Sequence, residues 1–139
     1  ETIHAANRGE NVTVVFVNNS VYGMTGGQMA PTTLIGQRTA TTPRGRSVQA
    51  EGYPLKISEL IAQLDGASYV ERCSCDCPKG ILKTKAAIKA GFLNQIEGKG
   101  FSLIEILSAC PTYWNLSPLE SMEWMKNSLM KEFPLGRLK

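Results

Sequence analysis

Residues 12–28 read VTVVFVNNSVYGMTGGQ, an apolar and mostly β-branched run that breaks into two asparagines and a glycine-rich loop. Such a run, bounded by turn residues, is typical of a strand covered on both faces. In α/β proteins, ligands lie beyond the carboxyl ends of parallel strands. The segment 18–28 is therefore expected to present amide oxygens, a hydroxyl and glycine-exposed backbone to a phosphorylated ligand or a metal ion.

Two kinds of binding group occur in this segment. The side-chain oxygens of Asn18 and Asn19 are hard, neutral ligands of the kind that Mg²⁺ accepts. The pair Gly26–Gly27 permits positive φ, so successive backbone N–H groups can converge on an anion, and Thr25 and Gln28 add side-chain donors. The alternative, a strand that ends in a polar turn without a ligand, fits the residues equally well because glycine loops are weak motifs.

Several short segments follow one another in the order of a known family. The longest is the run 18–33, which includes GMTGGQMAPTT at residues 23–33. The others are TP at 42–43, GYP at 52–54, GASYVER at 66–72, PK at 78–79, GFSLIE at 100–105, CPT at 110–112 and PLG at 134–136. Together they resemble the thiamine-diphosphate-binding β subunit of 2-oxoacid:ferredoxin oxidoreductases, and many matches in one order are more specific than one loop.

Two of the matching segments bear on the substrate. MAPTTL at 29–34 and FPLG at 133–136 look similar to enzymes that act on branched-chain 2-oxoacids such as 2-oxoisovalerate. The 2-oxoglutarate enzymes are the alternative. Met24 stands where pyruvate enzymes of the wider group often carry an asparagine, which fits a larger apolar substrate, although packing is the commoner role of a methionine.

The resemblance implies a role for each residue of the loop. Asn19 would give a side-chain oxygen to Mg²⁺, and Val21 would give its backbone carbonyl oxygen. The residues that would line thiamine diphosphate are Asn18, Tyr22, Gly23, Met24, Thr25, Gly26, Gly27 and Gln28. Thr25 would lie near the reactive carbon of the cofactor. No catalytic residue is assigned, since the glutamate that activates the aminopyrimidine is expected on a partner subunit.

The family's diphosphate motif begins with Gly-Asp-Gly upstream of the asparagine pair, and the sequence starts at Glu1, too late to contain it. Ile3-His4-Ala5-Ala6 resembles the helix between the two halves of the motif. We therefore expect residues 1–139 to form one partial domain, the C-terminal portion of the thiamine-diphosphate-binding fold. Without an anionic ligand, the isolated piece is expected to hold Mg²⁺ and cofactor weakly or not at all.

The function that the resemblance implies is CoA-dependent oxidative decarboxylation of a 2-oxoacid, with electrons passed through iron–sulfur clusters to ferredoxin. The clusters and most of the coenzyme A site would lie on other subunits of the oxidoreductase. The alternative is a non-catalytic α/β module that retains the scaffold and binds another phosphorylated ligand or only a partner chain.

Composition limits the other classes of function. The net charge is +3 and no lysine–arginine cluster stands out, so a nucleic-acid partner has little support. No stretch approaches the roughly 20 apolar residues of a membrane span, and no signal peptide is recognisable, so the cytoplasm is the expected location. Arg38, Arg44 and Arg46 lie in a loop rich in threonine, proline and glycine, and are expected to be solvated. An acidic partner such as ferredoxin, facing these arginines, is the alternative.

The cysteines alternate in Cys73-Ser74-Cys75-Asp76-Cys77, which would bring three thiols to one face of a strand. A metal or iron–sulfur site is one interpretation. The spacing lacks the C-x₂-C pairs of common sites, so small buried hydrophobes in a core strand are the favoured interpretation. Cys110 follows another strand, and no disulfide is expected in a reducing compartment.

The remaining periodicities predict a mostly parallel α/β sheet flanked by helices. Helices are expected at 55–65, at 78–96 and from Ser117, where Ser117 and Glu120 form a capping box. Strands are expected at 68–75 and 101–107, and 29–54 is a long loop. The predicted inward residues are Leu55, Leu60, Ile61, Leu64, Ile81, Ile88, Phe92, Ile96, Met122, Met125 and Leu129. Glu105, inside an apolar strand, is expected to be paired or at a strand edge.

Overall fold

The computed structural model describes all residues from 1 to 139, and the chain forms two compact units. The first unit contains Glu1–Val17, Ile57–Ile106 and Pro134–Lys139, and the second contains Asn18–Lys56 and Leu107–Phe133. In chain order the elements are α1 (Thr2–Arg8), β1 (Thr13–Asn18), β2 (Val21–Tyr22), β3 (Gln28–Met29), α2 (Val48–Glu51), α3 (Ile57–Ala62), β4 (Ala67–Ser74), α4 (Pro78–Ile96), β5 (Phe101–Leu107), α5 (Pro111–Trp114), α6 (Pro118–Trp124), a π-helical turn (Met125–Leu129), α7 (Met130–Glu132) and β6 (Gly136–Arg137). None of the helices combines the length and apolar character needed to cross a membrane.

The main sheet is mixed, and most of its strands are parallel. Its order is β1-β5-β4-β6, and the short strand β6 pairs antiparallel with β4, with Glu71 opposite Arg137. Strands and helices alternate along the chain and helices flank the sheet, which is the arrangement that strand–helix alternation favours. The predicted fold class is confirmed.

Strand β5, and not β1, is the strand covered on both faces. All seven residues of β5 are buried, and its apolar side chains alternate between two clusters, Phe101 and Leu103 in one and Ile104 and Ile106 in the other. The prediction that β1 is covered on both faces is wrong, because Val15 is 41% exposed and Val17 is 56% exposed. The reason is position, since β1 lies at the edge of the sheet and β5 inside it.

Helix α4 has the predicted bounds but buries a different face. Its buried residues are Gly80, Thr84, Ala87 and Gly91. Of the predicted inward residues, Ile81, Phe92 and Ile96 are exposed, and only Ile88 packs partly against the core. Small residues let the helix approach the sheet closely, because a Cβ atom on Gly91 would lie 2.6 Å from Cδ1 of Ile104.

Helix α3 is shorter than predicted at both ends. Ile61 is fully buried and Leu64 packs against the same cluster, as predicted. Leu55 and Leu60 are instead 42% and 48% exposed, and Ile57 takes the inward position near the start of the helix. The predicted inward positions of Ile61 and Leu64 are therefore confirmed, whereas those of Leu55 and Leu60 are wrong.

A buried ion network crosses the first unit. The Arg72 guanidinium donates from Nε to Glu105 at 2.8 Å, and from Nη1 and Nη2 to Glu59 at 2.9 and 2.6 Å. Nη1 also donates to the carbonyl oxygen of Pro134, and the Ser58 hydroxyl donates to Glu105. Burial acts to lower the pKa of Arg72, but the two carboxylates outweigh it and raise that pKa. The prediction that Glu105 is paired is confirmed.

The second unit has its own apolar cluster and a capped helix. Leu34, Leu107, Met125, Leu129 and Phe133 form the cluster, so the predicted inward positions of Met125 and Leu129 are confirmed, and Met122 packs against it. Both hydrogen bonds of the capping box between Ser117 and Glu120 are present at the start of α6. These bonds lower the pKa of the Glu120 carboxyl because they favour its charged form.

The cysteines do not share one face of a strand. Strand β4 ends at Ser74, so Cys75 and Cys77 lie beyond it, and the Sγ atom of Cys77 accepts a hydrogen bond from the Gly80 N–H at the start of α4. Cys73 is buried among apolar residues, and burial, aided by the nearby charge of Glu71, raises the pKa of its thiol to about 11. All four cysteines are free thiols.

Candidate cofactor-binding turn

The turn after β1 is built by Asn18 and Ser20. The Asn18 side chain is 1% exposed, and its Oδ1 accepts a hydrogen bond from the Ser20 N–H at 3.0 Å. Ser20 adopts a left-handed backbone with φ of 55°. Its carbonyl oxygen accepts from the Thr33 hydroxyl at 2.6 Å, and its own hydroxyl accepts from the Gln37 amide at 2.9 Å. Asn18 thus shapes the turn through buried contacts.

Asn19 lies on the solvent side of this turn and is half-buried. Its side-chain oxygen accepts from the Val21 N–H at 3.4 Å, a long hydrogen bond that engages the oxygen weakly. Its backbone carbonyl oxygen accepts from the indole Nε1 of Trp114 at 3.0 Å. The turn therefore has a well-fixed backbone and one amide oxygen that a cation can recruit.

Residues 21–29 form a β-hairpin. Strands β2 and β3 pair antiparallel, with Val21 opposite Met29, and the Gly27 N–H donates to the carbonyl oxygen of Tyr22 at 2.9 Å. Gly26 and Gly27 have φ values of 121° and 79°, so the expectation of positive φ at both glycines is confirmed. The structure thus brings Tyr22 to Gln28 together as one compact loop.

The tip of the hairpin is closed by its own side chains. The Thr25 hydroxyl donates to Oε1 of Gln28 at 2.8 Å, and Nε2 of Gln28 donates to the Thr25 carbonyl oxygen at 2.9 Å. Met24 is fully exposed, and Tyr22 is 52% exposed. A ligand that used Thr25 or Gln28 would exchange these local hydrogen bonds for its own.

Cys110, Tyr113 and Trp114 belong to this site and had no predicted part in it. A Cβ atom on Gly27 would lie 2.2 Å from the Tyr113 ring, and one on Gly23 would lie 3.5 Å from the Cys110 sulfur. Strands β1 and β5 are neighbours, and the Ser108 N–H donates to the Asn18 carbonyl oxygen at 3.1 Å. The sequence signal was the CPT segment after β5, because neighbouring parallel strands end at the same edge of a sheet.

Arg46 organises the long loop that supports the hairpin. The residue is 5% exposed and donates five hydrogen bonds to backbone carbonyl oxygens. The acceptors are Pro31, Thr33, Glu51, Gly52 and Tyr53. Burial lowers the pKa of its guanidinium, and the charge of Glu51 partly opposes that shift. The expectation of a solvated side chain is wrong for Arg46, whereas Arg38 and Arg44 are exposed.

The loop around Arg46 also contacts the hairpin directly. The Ala40 N–H donates to the Gly27 carbonyl oxygen at 2.9 Å, and the Thr41 hydroxyl accepts from the Met29 N–H at 2.9 Å. The hydroxyls of Thr39 and Thr42 share a hydrogen bond of 2.6 Å within the same loop. The long loop is therefore an ordered support for the glycine turn.

The chemistry of the donors fits one side of a magnesium–diphosphate site. Asn19 Oδ1 and the Val21 carbonyl are hard, neutral oxygens of the type that Mg²⁺ binds together with water and phosphate oxygens. The segment 18–29 carries no charged side chain, and no group of three or more His, Cys, Asp or Glu residues is placed to hold a metal. These residues could therefore hold a cation only together with anionic oxygens from elsewhere.

Comparisons with known proteins identify the family of the chain. Residues 1–106 match the family model described as thiamine pyrophosphate enzyme, C-terminal TPP binding domain. The chain is 49% identical over 135 residues to ketoisovalerate oxidoreductase subunit VorA of Methanothermobacter marburgensis, covering 97% of this chain and 28% of that protein. It is 43% identical over 133 residues to 2-oxoglutarate synthase subunit KorB of Methanothermobacter thermautotrophicus, covering 91% of this chain and 42% of that protein.

A solved structure shares the fold. The chain superposes with a TM-score of 0.70 and 26% identity on a 2-oxoglutarate:ferredoxin oxidoreductase from Magnetococcus marinus with 2-oxoglutarate, coenzyme A and succinyl-CoA bound, covering 91% of this chain and 38% of that one. The chain thus spans between about a quarter and a half of the length of these relatives. The resemblance to the cofactor-binding subunits of 2-oxoacid:ferredoxin oxidoreductases is confirmed. The chain belongs to the family of C-terminal, thiamine-pyrophosphate-binding domains of thiamine pyrophosphate enzymes.

Proposed function

We propose that this chain is the C-terminal portion of the thiamine-diphosphate-binding domain in a 2-oxoacid:ferredoxin oxidoreductase of the 2-oxoisovalerate type. The observation that carries the proposal is 49% identity over 97% of the chain to a ketoisovalerate oxidoreductase subunit. The proposed reaction is CoA-dependent oxidative decarboxylation of a branched-chain 2-oxoacid, in the cytoplasm and in anaerobic metabolism. A 2-oxoglutarate enzyme is the second candidate, favoured by 43% identity to a 2-oxoglutarate synthase subunit.

In this proposal the turn after β1 holds the metal. Asn19 gives its side-chain oxygen and Val21 its carbonyl oxygen to Mg²⁺, and the diphosphate supplies negative charge that these neutral ligands lack. The weak engagement of Asn19 Oδ1, 3.4 Å from the Val21 N–H, supports this role because little must be broken to recruit it. Asn18 supports the same turn from its buried position.

The hairpin lines the cofactor in the proposed complex. Tyr22, Gly23 and Met24 face solvent or lie half-buried, and the exposed Gly26 adds no side-chain bulk at the loop tip. Thiamine diphosphate, when bound there, would supply the carbanion chemistry of the reaction. Thr25 and Gln28 contribute polar groups at the loop tip, and the exposed Met24 adds apolar surface for a branched substrate side chain.

The other parts of the reaction belong to partners in this proposal. Iron–sulfur clusters on other subunits would supply electron transfer to ferredoxin, and most of the coenzyme A site would lie outside this chain. The glutamate that activates the cofactor and the acidic metal ligand also lie outside residues 1–139. The chain then provides a rigid neutral half of the metal–diphosphate site.

The test uses the complete oxidoreductase with the full-length subunit. Thiamine diphosphate binding is titrated against Mg²⁺, and turnover is assayed with 2-oxoisovalerate, 2-oxoglutarate and pyruvate. Asn19→Ala is expected to raise the Mg²⁺ concentration for half-saturation about 10-fold or more, as loss of groups around a metal commonly does. Asn127→Ala, an exposed amide in the same unit, is the control.

Each outcome bears on a different part of the proposal. Absence of Mg²⁺-dependent cofactor binding by the wild-type complex would reject the function. Normal binding with unchanged Mg²⁺ dependence in the Asn19 variant would remove that residue from the metal site. Preference for 2-oxoglutarate would replace the proposed substrate by the second candidate.

A further inference from the structure

We propose that Trp114 is a positioning residue that aims the amide of Asn19 at the metal, an inference that rests on the proposed function. The indole N–H donates to the Asn19 carbonyl oxygen at 3.0 Å. This hydrogen bond joins the short helix after β5 to the turn after β1. Holding that carbonyl oxygen fixes the plane of the peptide group between Asn19 and Ser20, which leads into Val21.

The indole itself is held independently of Asn19. The Trp114 N–H of the backbone donates to the Cys110 carbonyl oxygen at 3.0 Å, within the single helical turn that Pro111 begins. The ring lies 4.4 Å from the Trp124 ring, centroid to centroid, at an interplanar angle of 49°. Because its position is set by packing, the indole can serve as a fixed donor to the Asn19 carbonyl oxygen.

The residues flanking Asn19 are also fixed. The Asn18 carbonyl oxygen accepts from the Ser108 N–H at 3.1 Å, and Ser20 is held through both its carbonyl and its hydroxyl. Asn19 lies between these anchors with a side chain that makes only a long hydrogen bond to Val21. The bond from Trp114 therefore fixes the backbone from which the Asn19 side chain extends, and with it the position from which Oδ1 can reach a cation.

The chemistry of the donor makes this role specific. An indole N–H only donates, so it orients a carbonyl oxygen without competing for the metal. A phenylalanine at position 114 keeps an aromatic ring against Trp124 but removes the donor. The variant Trp114→Phe therefore tests the hydrogen bond with limited loss of packing.

The experiment measures metal dependence in the complete oxidoreductase. Trp114→Phe is expected to raise the Mg²⁺ concentration for half-saturation of thiamine diphosphate binding about 10-fold. Binding at saturating Mg²⁺ should stay within about twofold of wild type, because the proposed effect acts on the metal ligand. Tyr53→Phe, which alters an exposed ring of the same unit, should leave both quantities unchanged.

A double-mutant cycle shows whether Trp114 acts through Asn19. In the Asn19→Ala background, Trp114→Phe is expected to have no further effect on the Mg²⁺ requirement, since the oriented amide is gone. The electron paramagnetic resonance spectrum of Mn²⁺ in place of Mg²⁺ should broaden in the Trp114→Phe variant as the ligand becomes less ordered. A general packing role would instead weaken cofactor binding at all metal concentrations.

The outcomes separate this inference from the proposed function. Additive effects of the two substitutions, or an unchanged Mg²⁺ requirement in Trp114→Phe, would overturn the positioning role while Asn19→Ala still supports the metal site. A wild-type complex that binds no cofactor with Mg²⁺ would overturn the proposed function and the inference together.

Discussion

Two arginines are buried in this chain, one in each compact unit, and they are satisfied in opposite ways. Arg72 in the first unit meets two carboxylates, Glu59 and Glu105. Arg46 in the second unit meets five backbone carbonyl oxygens and makes no ion pair within 4 Å. The pKa of Arg72 is raised by its partners, whereas that of Arg46 is lowered by burial.

The difference separates two uses of a buried cation. Arg72 bonds carboxylates on α3 and β5, so its removal leaves buried negative charge in the first unit without a cationic partner. Arg46 donates to the backbone of a loop with little regular structure. Its removal therefore leaves carbonyl groups without the hydrogen bonds that a helix or a sheet would supply elsewhere. The first arrangement depends on charge, and the second depends on the shape of the guanidinium.

The largest effect is expected for Arg72→Met. This change leaves the buried Glu105 without its cationic partner, and breaking a buried pair in this way costs about 3–5 kcal/mol of unfolding free energy. Urea titration of the full-length subunit, with hydrogen exchange of the β4 and β5 peptides, measures the loss. Arg8→Met, at a largely exposed ion pair, is the control and should change the unfolding free energy by less than about 1 kcal/mol.

A smaller effect, about 2–3 kcal/mol, is expected for Arg46→Lys. A lysine keeps the charge, but its three donors from one nitrogen cannot reach five carbonyl oxygens in a planar fork, and unmet buried acceptors are costly. Hydrogen exchange should accelerate in residues 30–53 and stay unchanged in β5. Arg44→Lys, at an exposed site, is the matched control. If residues 30–53 were equally protected from hydrogen exchange in Arg46→Lys and Arg44→Lys, charge alone would suffice at position 46.

The third prediction concerns the glycine hairpin, where only the space for a side chain changes and no charge is altered. Gly27→Ala must fit a methyl group 2.2 Å from the Tyr113 ring at a φ of 79°. Gly36→Ala has nearly the same φ, 78°, with no atom within 4 Å, so it carries only the backbone cost of about 1–2 kcal/mol. We expect Gly27→Ala to cost more than Gly36→Ala, and Tyr113→Ala to remove the difference. Proteolysis rates of the hairpin in the full-length subunit measure the comparison.

The smallest effect is expected at the capping box. Ser117→Ala removes the side-chain acceptor at the start of α6, a change that typically costs about 1 kcal/mol. Because the pKa of Glu120 is lowered in the folded chain, its contribution is present above the unfolded pKa and is lost as pH falls through the folded value. The variant should therefore show a weaker loss of α6 protection on acidification than the wild type, measured by hydrogen exchange across that range.

The sequence predicted the elements better than their environment. The bounds of α4 and β5 and the capping box of α6 follow from local patterns, and all three are observed. The exposure of Val15 and Val17 could not be predicted, because a β-branched run has the same composition at the edge of a sheet and inside it. The buried face of α4 was missed because close packing there selects glycine and alanine over larger apolar side chains.

In the candidate site, too, local backbone features could be predicted and tertiary contacts could not. The positive φ values at Gly26 and Gly27 could be predicted from the sequence, because few residues other than glycine adopt them. The buried position of Asn18 and the contacts of Trp114 depend on which strands are neighbours, and a single sequence does not reveal strand order. Arg46 was misjudged because a loop composition says nothing about how many carbonyl oxygens converge on one side chain.

The exposed face of α4 affects how copies of the chain associate in solution. Its exposed Ile81, Phe92 and Ile96 favour contact between copies in water. The helix also carries four exposed lysines and no acidic residue, and the four are Lys79, Lys83, Lys85 and Lys89. Like charges keep copies apart at low ionic strength, and at about 0.1 M salt that repulsion is largely screened beyond about 10 Å. Buffers of high ionic strength should therefore promote self-association through this helix, whereas dilute buffers should disperse the chain.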